Sequence, residues 1–186
     1  DSGDLASMAR KVRDILDAGG LKDVIILVSG GINEDVLQTM MAAKAPIDGF
    51  GIGVNLDASI DAPSLDCAYK LQEYDGKPRR KLSEGKATWP GRKQVWRSYG
   101  ADKRMRGDIL SLENDSQAGE TLIAPVMRGG KRVAPVTTLT QVRERAAREL
   151  ANLPEPLRKL ETGVEYPVQI SKALSTLAAQ MDKTHH

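Results

Sequence analysis

The sequence predicts an α/β protein: the C-terminal portion of an irregular α/β barrel, followed by antiparallel strands and closing on helices. Three observations carry this. Up to about Leu56, apolar runs of strand length alternate with helical spacing, which is the grammar of a parallel α/β layer. From Cys67 the pattern changes to short alternating stretches separated by turn residues, and beyond Val136 helical spacing returns. The expected divisions are therefore 1–66 for the βα units, 67–136 for a mostly antiparallel segment and 137–184 for a helical one. His185 and His186 look like the remains of a purification tag.

Taken in order, the chain opens Asp1-Ser2-Gly3-Asp4, an acidic turn that feeds a helix. Leu5, Met8, Ala9, Val12, Ile15 and Leu16 fall on one face of that helix, and Gly19-Gly20 stops it. The acidic turn reads as a strand end whose strand lies before Asp1, so the chain is expected to begin in mid-protein. Ile25-Ile26-Leu27-Val28 then runs into Ser29-Gly30-Gly31. Asn33 is placed to cap a helix with Val36, Leu37, Met40 and Ala43 on its core face, and Glu34 and Asp35 suit its first turn. Those two acids read as dipole compensation rather than catalysis. A second strand end follows, Asp48-Gly49-Phe50 into Gly51-Ile52-Gly53.

A strand that stops at small residues and restarts as a helix turns free backbone N–H groups toward the space above the sheet. Glycine suits such turns because a side chain would hold an anion away from the amides. Each turn alone is common punctuation. Two of them, one βα unit apart on neighbouring strands, can face a single phosphate.

In the second segment, residues 68–74, 77–82 and 94–99 read as strands, with Asp75-Gly76 as a hairpin turn between the first two. Residues 109–112 and 122–126 join them, ahead of a Gly129-Gly130 turn. Lys77-Pro78-Arg79-Arg80-Lys81 sits among Glu73, Asp75 and Glu84 and reads as a solvated strand pair, not a nucleic-acid patch. Thr138 and Gln141 have capping-box spacing before a helix with Leu139, Val142, Ala146 and Leu150 on one face. A last helix carries Ile170, Leu174, Leu177, Ala178 and Met181, and these stripes read as core or interface.

Composition narrows the classes. With 186 residues the chain can build a real core, but a closed eight-fold barrel usually takes about 250 residues. Its 27 Lys+Arg against 25 Asp+Glu leave a net charge of +2, which gives no general attraction to polyanions. Aromatic residues make up 4%, too few for a base-stacking platform. No nucleic-acid partner is expected. The single cysteine, Cys67, cannot form an intrachain disulfide or a cysteine metal cluster. No stretch reads as a membrane span or a signal segment, so the default compartment is cytoplasmic.

Several runs together resemble the C-terminal half of nicotinate phosphoribosyltransferases. They are Asp1-Ser2-Gly3-Asp4, Ser29-Gly30-Gly31-Ile32, the stretch from Ala45 to Leu56, Lys81-Leu82-Ser83-Glu84-Gly85-Lys86, and Pro90-Gly91-Arg92-Lys93-Gln94-Val95-Trp96-Arg97. Arg143-x-Arg145, Leu153-Pro154 and Tyr166-Pro167-Val168 extend the resemblance to the tail. It implies a type II phosphoribosyltransferase-like barrel and transfer of a phosphoribosyl group from phosphoribosyl pyrophosphate to nicotinate. The products would be nicotinate mononucleotide and pyrophosphate, with coupled ATP hydrolysis, Mg2+ and a homodimer.

On that resemblance Gly30, Gly31, Gly51 and Gly53 give backbone N–H groups to the 5′-phosphate, with Ser29 at the rim. Asp1 stands near the ribose and the pyridine ring as the catalytic carboxylate. Read from residues alone, Asp1 is an N-capping acid before the Leu5 helix, and only the resemblance assigns it the catalytic role. Val54 departs from the family, which usually has threonine there, so one hydroxyl is lost. The only histidines are His185 and His186, which leaves the family's phosphorylated histidine, and the ring pocket, to the N-terminal half. A nicotinamide or quinolinate enzyme, or a noncatalytic structural fragment, stays open as an alternative.

Overall fold

The computed structural model describes residues 3–64, 67–83, 85–160 and 163–184. The chain divides into two compact units, Asp1–Cys67 and Ala68–His186.

The first unit begins with α1 (Leu5–Ala18), whose N-cap Asp4 accepts a hydrogen bond from Ser7 N at 3.0 Å. Gly20, at φ 78°, lets the chain turn back after the helix. The Arg13 guanidinium fastens the return, donating to the carbonyls of Leu21 and Val24 at 2.7 Å each. Next come β1 (Leu27–Ser29), α2 (Glu34–Ala42), β2 (Gly49–Gly51) and the one-turn α3 (Val54–Asp57). The predicted cap is present: Asn33 Oδ1 accepts from Val36 N at 3.0 Å.

Strands β1 and β2 pair in parallel, with Leu27 opposite Gly49, Val28 opposite Phe50 and Ser29 opposite Gly51. Leu5, Ile32 and Met40 form the buried centre, with Val28, Val36, Leu37, Phe50 and Ile52 packed around it. The α1 face is only partly a core face. Leu5 and Ala9 are buried, whereas Met8, Val12 and Ile15 are exposed, as are Ile25 and Leu27 on the strand side. Parallel strands are ordinarily covered on both faces, and Leu27 at 68% exposure is not.

The second unit starts with the predicted Asp-Gly hairpin, β3 (Glu73–Tyr74) and β4 (Lys77–Pro78), turned by Asp75 and Gly76 at φ 49° and 68°. Both central residues have positive φ, as a type I′ turn requires. The paired stretches are shorter than the alternation at 68–74 and 77–82 suggests. Its main sheet contains β5 (Lys93–Tyr99), β6 (Met105–Leu112) and β7 (Glu120–Thr121). A small hairpin, β8 (Met127–Arg128) with β9 (Lys131–Arg132), is closed by Gly129-Gly130. Then follow α4 (Leu139–Asn152), a 3-10 turn at Glu155–Arg158, β10 (Val168–Ile170) and α5 (Lys172–Thr184).

Three sequence expectations change here. Residues 122–126 are not a strand, since pairing stops at Thr121. Ile170 belongs to β10 and not to the last helix. The sheet, in the order β10-β6-β5-β7, is not wholly antiparallel, because β10 pairs with β6 in parallel. Helix α5 lies against β6 and buries Leu174 and Ala178. Ser171 Oγ accepts from Leu174 N at 3.2 Å at the helix start. The capping box of α4 is complete, with both Thr138 and Gln141 bonded, yet no residue of α4 is buried. The overall content is mixed α/β with antiparallel strands and a C-terminal helix. Among the described residues the parallel sheet has two strands.

Candidate functional site

The β1–β2 register decides where the glycine turns stand. Because Ser29 lies opposite Gly51 in a parallel pair, Gly30 and Gly31 leave one strand at the same level at which Ile52 and Gly53 leave its neighbour. Gly30 and Gly31 hold φ of 111° and 59°, a conformation that side-chain-bearing residues rarely adopt. Asn55 Nδ2 donates to the Gly31 carbonyl at 3.2 Å, fastening one turn to the other. Space is the second requirement. A Cβ added at Gly53 would meet no atom within 4 Å, so this turn is open.

Beside the first turn lies a pocket of about 350 Å³ lined by Asp4, Gly30, Asp35, Thr39 and Met40, among others. It is bounded by the first turns of α1 and α2, where helices leave unpaired N–H groups. Asp1, assigned a catalytic role by the resemblance, and Ser2 lie outside the described residues, as do Glu84, His185 and His186. The other assigned residues, Ser29, Gly30, Gly31, Gly51 and Gly53, are brought together at the ends of β1 and β2. Val54, in the family's threonine position, begins α3 and is exposed.

Charge at this end runs opposite to what an anion needs. Gly3 and Asp4, with segments 29–35 and 49–62, contribute Asp4, Glu34, Asp35, Asp57 and Asp61 and not one Lys or Arg. Attraction to phosphate therefore rests on backbone amides, or on cations brought from elsewhere. Among the described residues no group of three or more His, Cys, Asp or Glu side chains could hold a metal ion.

The second unit holds a polar cluster that sequence reasoning did not single out. The Arg97 guanidinium grips the Asp108 carboxylate through both prongs, Nε to Oδ1 at 2.9 Å and Nη2 to Oδ2 at 2.8 Å. Tyr166 Oη donates to the same Oδ1 at 2.9 Å, and the Arg97 carbon stands 5.6 Å from the Tyr166 ring centre. Hydrogen bonding from Arg97 holds the buried Asp108 carboxyl below the usual carboxylate range. Burial, and then the bond to Asp108, push the Tyr166 phenol up. Arg97 and Tyr166 both lie in runs that carry the family resemblance. Asp108 lies in neither, and only the fold joins the three. An apolar pocket of about 700 Å³ adjoins the cluster, walled by Met105, Ala146, Leu150, Leu153 and Leu157.

At the start of β5, Lys93 Nζ donates to Gln72 Oε1 and to the carbonyls of Trp89 and Gly91 at 2.6–2.8 Å. Burial lowers its pKa against the opposing pull of Glu73. Three neutral acceptors make it a fastener for the 89–91 turn.

A parallel βα pair with glycine turns at its strand ends is the arrangement by which α/β proteins present amides to phosphate. Comparison with known proteins narrows the class. Residues 116–178 match the family model described as the nicotinate phosphoribosyltransferase C-terminal domain. A nicotinate phosphoribosyltransferase of Mycobacterium tuberculosis is 43% identical over 175 residues, covering 92% of this chain and 37% of the relative. The human nicotinate phosphoribosyltransferase is 30% identical over 209 residues, covering 95% and 39%. The crystal structure of human nicotinic acid phosphoribosyltransferase superposes with a TM-score of 0.78 at 26% identity, over 97% of this chain and 39% of that one. The chain belongs to the nicotinate phosphoribosyltransferase family and matches its C-terminal part. It spans less than two-fifths of the length of these relatives.

Proposed function

We propose that this chain supplies part of the active site of a nicotinate phosphoribosyltransferase, in which its two glycine turns hold the 5′-phosphate of phosphoribosyl pyrophosphate. The observation that carries the reading is the parallel register that sets Ser29 opposite Gly51 and so brings Gly30, Gly31 and Gly53 to one end of the sheet. In the reaction the nicotinate ring nitrogen forms a bond to the ribose anomeric carbon. The bond from that carbon to pyrophosphate breaks, and pyrophosphate leaves with the electron pair. Positive charge develops on the ribose in between. A site that fixes the far end of the sugar holds the anomeric carbon in line with both groups, and positioning of that kind accounts for much of the rate.

Each residue has a task in this scheme. Gly30, Gly31, Gly51 and Gly53 present amide N–H groups to the phosphate oxygens, each contact contributing on the order of 1.5–3 kcal/mol. Ser29 stands at the rim, and Asn55 keeps the turns in register. Asp1 accepts hydrogen bonds from the ribose hydroxyls and stabilises the developing charge. Groups that grip the nicotinate carboxylate and the pyrophosphate, and a histidine for the coupled ATP hydrolysis, belong to the remaining length of such an enzyme. The same reading includes completion of the barrel, a homodimer and a cytoplasmic setting. Mg2+ and ATP enter no step derived from these residues.

The test is Gly53→Asp. Gly53 has an ordinary φ of −133° and open space around it, so the variant should fold while setting a carboxylate where the phosphate binds. In the complete enzyme, formation of nicotinate mononucleotide should fall with a raised KM for phosphoribosyl pyrophosphate and an unchanged KM for nicotinate. Unchanged kinetics would remove the turns from the site. The 186-residue chain by itself should show no turnover.

A further inference from the structure

We infer that Asp48 is a positioning residue for the phosphate site, pinning β1 to β2 at the end opposite the glycine turns and so setting the level at which the turns meet, an inference that rests on the phosphate-site reading of those turns.

The pin is a set of three hydrogen bonds on one residue. Asp48 Oδ2 accepts from Ile26 N at 2.7 Å, across 22 positions of sequence. The Ile26 carbonyl accepts from Asp48 N at 2.9 Å and from Gly49 N at 3.3 Å. Both backbone polar groups of Ile26 are thus held by Asp48 and its neighbour, one residue before the first strand pair, Leu27 with Gly49. No strand carbonyl takes the Ile26 N–H, because the backbone ahead of Asp48 is turned, with Ile47 N donating to the Ala45 carbonyl at 2.8 Å. Asp48 stands at the surface, but Ile26 is 7% exposed, so little water can replace the carboxylate when it is removed.

What the pin controls is sliding of one strand past the other. The ladder of β1 and β2 has three residue pairs, and Gly49 and Gly51 bring no side chains to it. Val28 and Phe50 both pack on the buried centre, which excludes a slip of a whole residue, since that would carry one of them to the other face. Smaller slides are left, and one of about an ångström is enough to break the site: N–H···O distances span only about 2.7–3.2 Å, so the amides of Gly30, Gly31 and Gly53 could not all stay bonded to one anion. Asn55 opposes the slide at the turns, through the Gly31 carbonyl. Asp48 opposes it at the base. Three residues separate Asp48 from Gly51, about 10 Å along a strand, so its carboxylate acts on the phosphate only through the strands.

The experiment compares three substitutions. Asp48→Asn keeps an oxygen for the Ile26 N–H without the charge. Asp48→Glu keeps the charge and moves the acceptor by one methylene, and Asp48→Ala keeps neither. In the complete enzyme Asp48→Ala should raise the KM for phosphoribosyl pyrophosphate about tenfold and Asp48→Glu about threefold, with the KM for nicotinate unchanged, while Asp48→Asn stays within about twofold of the unaltered enzyme. A residue that only stabilised the fold would lower the active fraction, and hence the maximal rate, and leave both KM values alone. Should Asp48→Ala not fold, the comparison of asparagine with glutamate carries the test. Asparagine no better than glutamate, or a folded Asp48→Ala with an unchanged KM for phosphoribosyl pyrophosphate, would overturn the proposal. The phosphate reading fails separately, if Gly53→Asp leaves that KM unchanged. The pin is then judged by amide exchange in the 186-residue chain: the amides of β1 and β2 should exchange at least about tenfold faster in Asp48→Ala than in Asp48→Asn, and equal rates overturn it.

Discussion

Asn55 reaches across 24 positions of sequence to donate from Nδ2 to the carbonyl of Gly31, at 3.2 Å. The bond spans the two strand ends, so the turn after β1 and the turn after β2 keep a fixed separation. Two turns that share one phosphate need this, because an anion held by amides gains little if either turn drifts by an ångström.

Asn55→Ala should therefore act on binding more than on folding. A lost hydrogen bond of this kind contributes about 0.5–1.5 kcal/mol, so ribose 5-phosphate affinity should drop roughly three- to tenfold. The urea midpoint should barely move, since the bond is exposed. An affinity equal to that of the unaltered chain would mean the turns act independently.

A second prediction concerns close approach of backbones. Gly119 has φ 129°, and a Cβ there would lie 2.5 Å from the Arg97 carbonyl oxygen. Backbone of β5 cannot yield as a flexible side chain would. Gly119→Ala should displace β7, break the pairing of Thr121 with Trp96 and Glu120 with Arg97, and cost about 1–3 kcal/mol in urea unfolding. Gly53→Ala, with open space around it, serves as the control and should be close to neutral.

What the sequence disclosed follows the range of the interactions. The Asn33 cap, the Asp75-Gly76 turn and the Thr138–Gln141 box each depend on residues within four positions, and local chemistry names them. The adjacency of the glycine turns was legible because sequential βα units place consecutive strands side by side. Ile170 was misplaced because three apolar residues ahead of a helix fit its periodicity as well as a strand, and β6, some 60 residues earlier, makes the choice. The Arg97–Asp108–Tyr166 cluster spans 58 positions between Asp108 and Tyr166, and nothing in either local pattern announces the other. The exposed strip of α1 is a different matter: Val12 and Ile15 have the right spacing for a core, but periodicity cannot say what covers it.

Helix α4 offers a third prediction. With no buried residue, it depends on its ends: the capping box at Thr138, and Arg104, whose Nη1 donates to the carbonyls of Ala151 and Leu153. Thr138→Ala should cost about 1 kcal/mol. The loss should be read in faster amide exchange of the first two turns of α4, with the exchange of β5 and β6 unchanged. Equal acceleration throughout the unit would show that α4 is integral to the global fold.

The Arg97–Asp108 pair gives the unit a definite response to acid. Asp108 has its pKa lowered first by the hydrogen bonds from Arg97 and also by the one from Tyr166, against a burial effect that raises it. A carboxyl whose folded pKa lies below its unfolded value of about 3.9 stabilises the fold above that value. The stabilisation then fades as pH falls through the lower folded pKa. Asp108→Asn removes the charge while leaving the half-buried Arg97 guanidinium in place, and should cost about 3 kcal/mol at pH 7. The gap between the variant and the unaltered chain should narrow steadily below about pH 4, as the unaltered chain loses the same charge by protonation. Tyr166→Phe should make that loss smaller and bring it to completion at higher pH, because one of the bonds that lowers the folded pKa of Asp108 is gone. Urea midpoints for the three proteins between pH 7 and pH 2 would decide, and a gap that stays constant across the range would show that Asp108 is not the group that titrates.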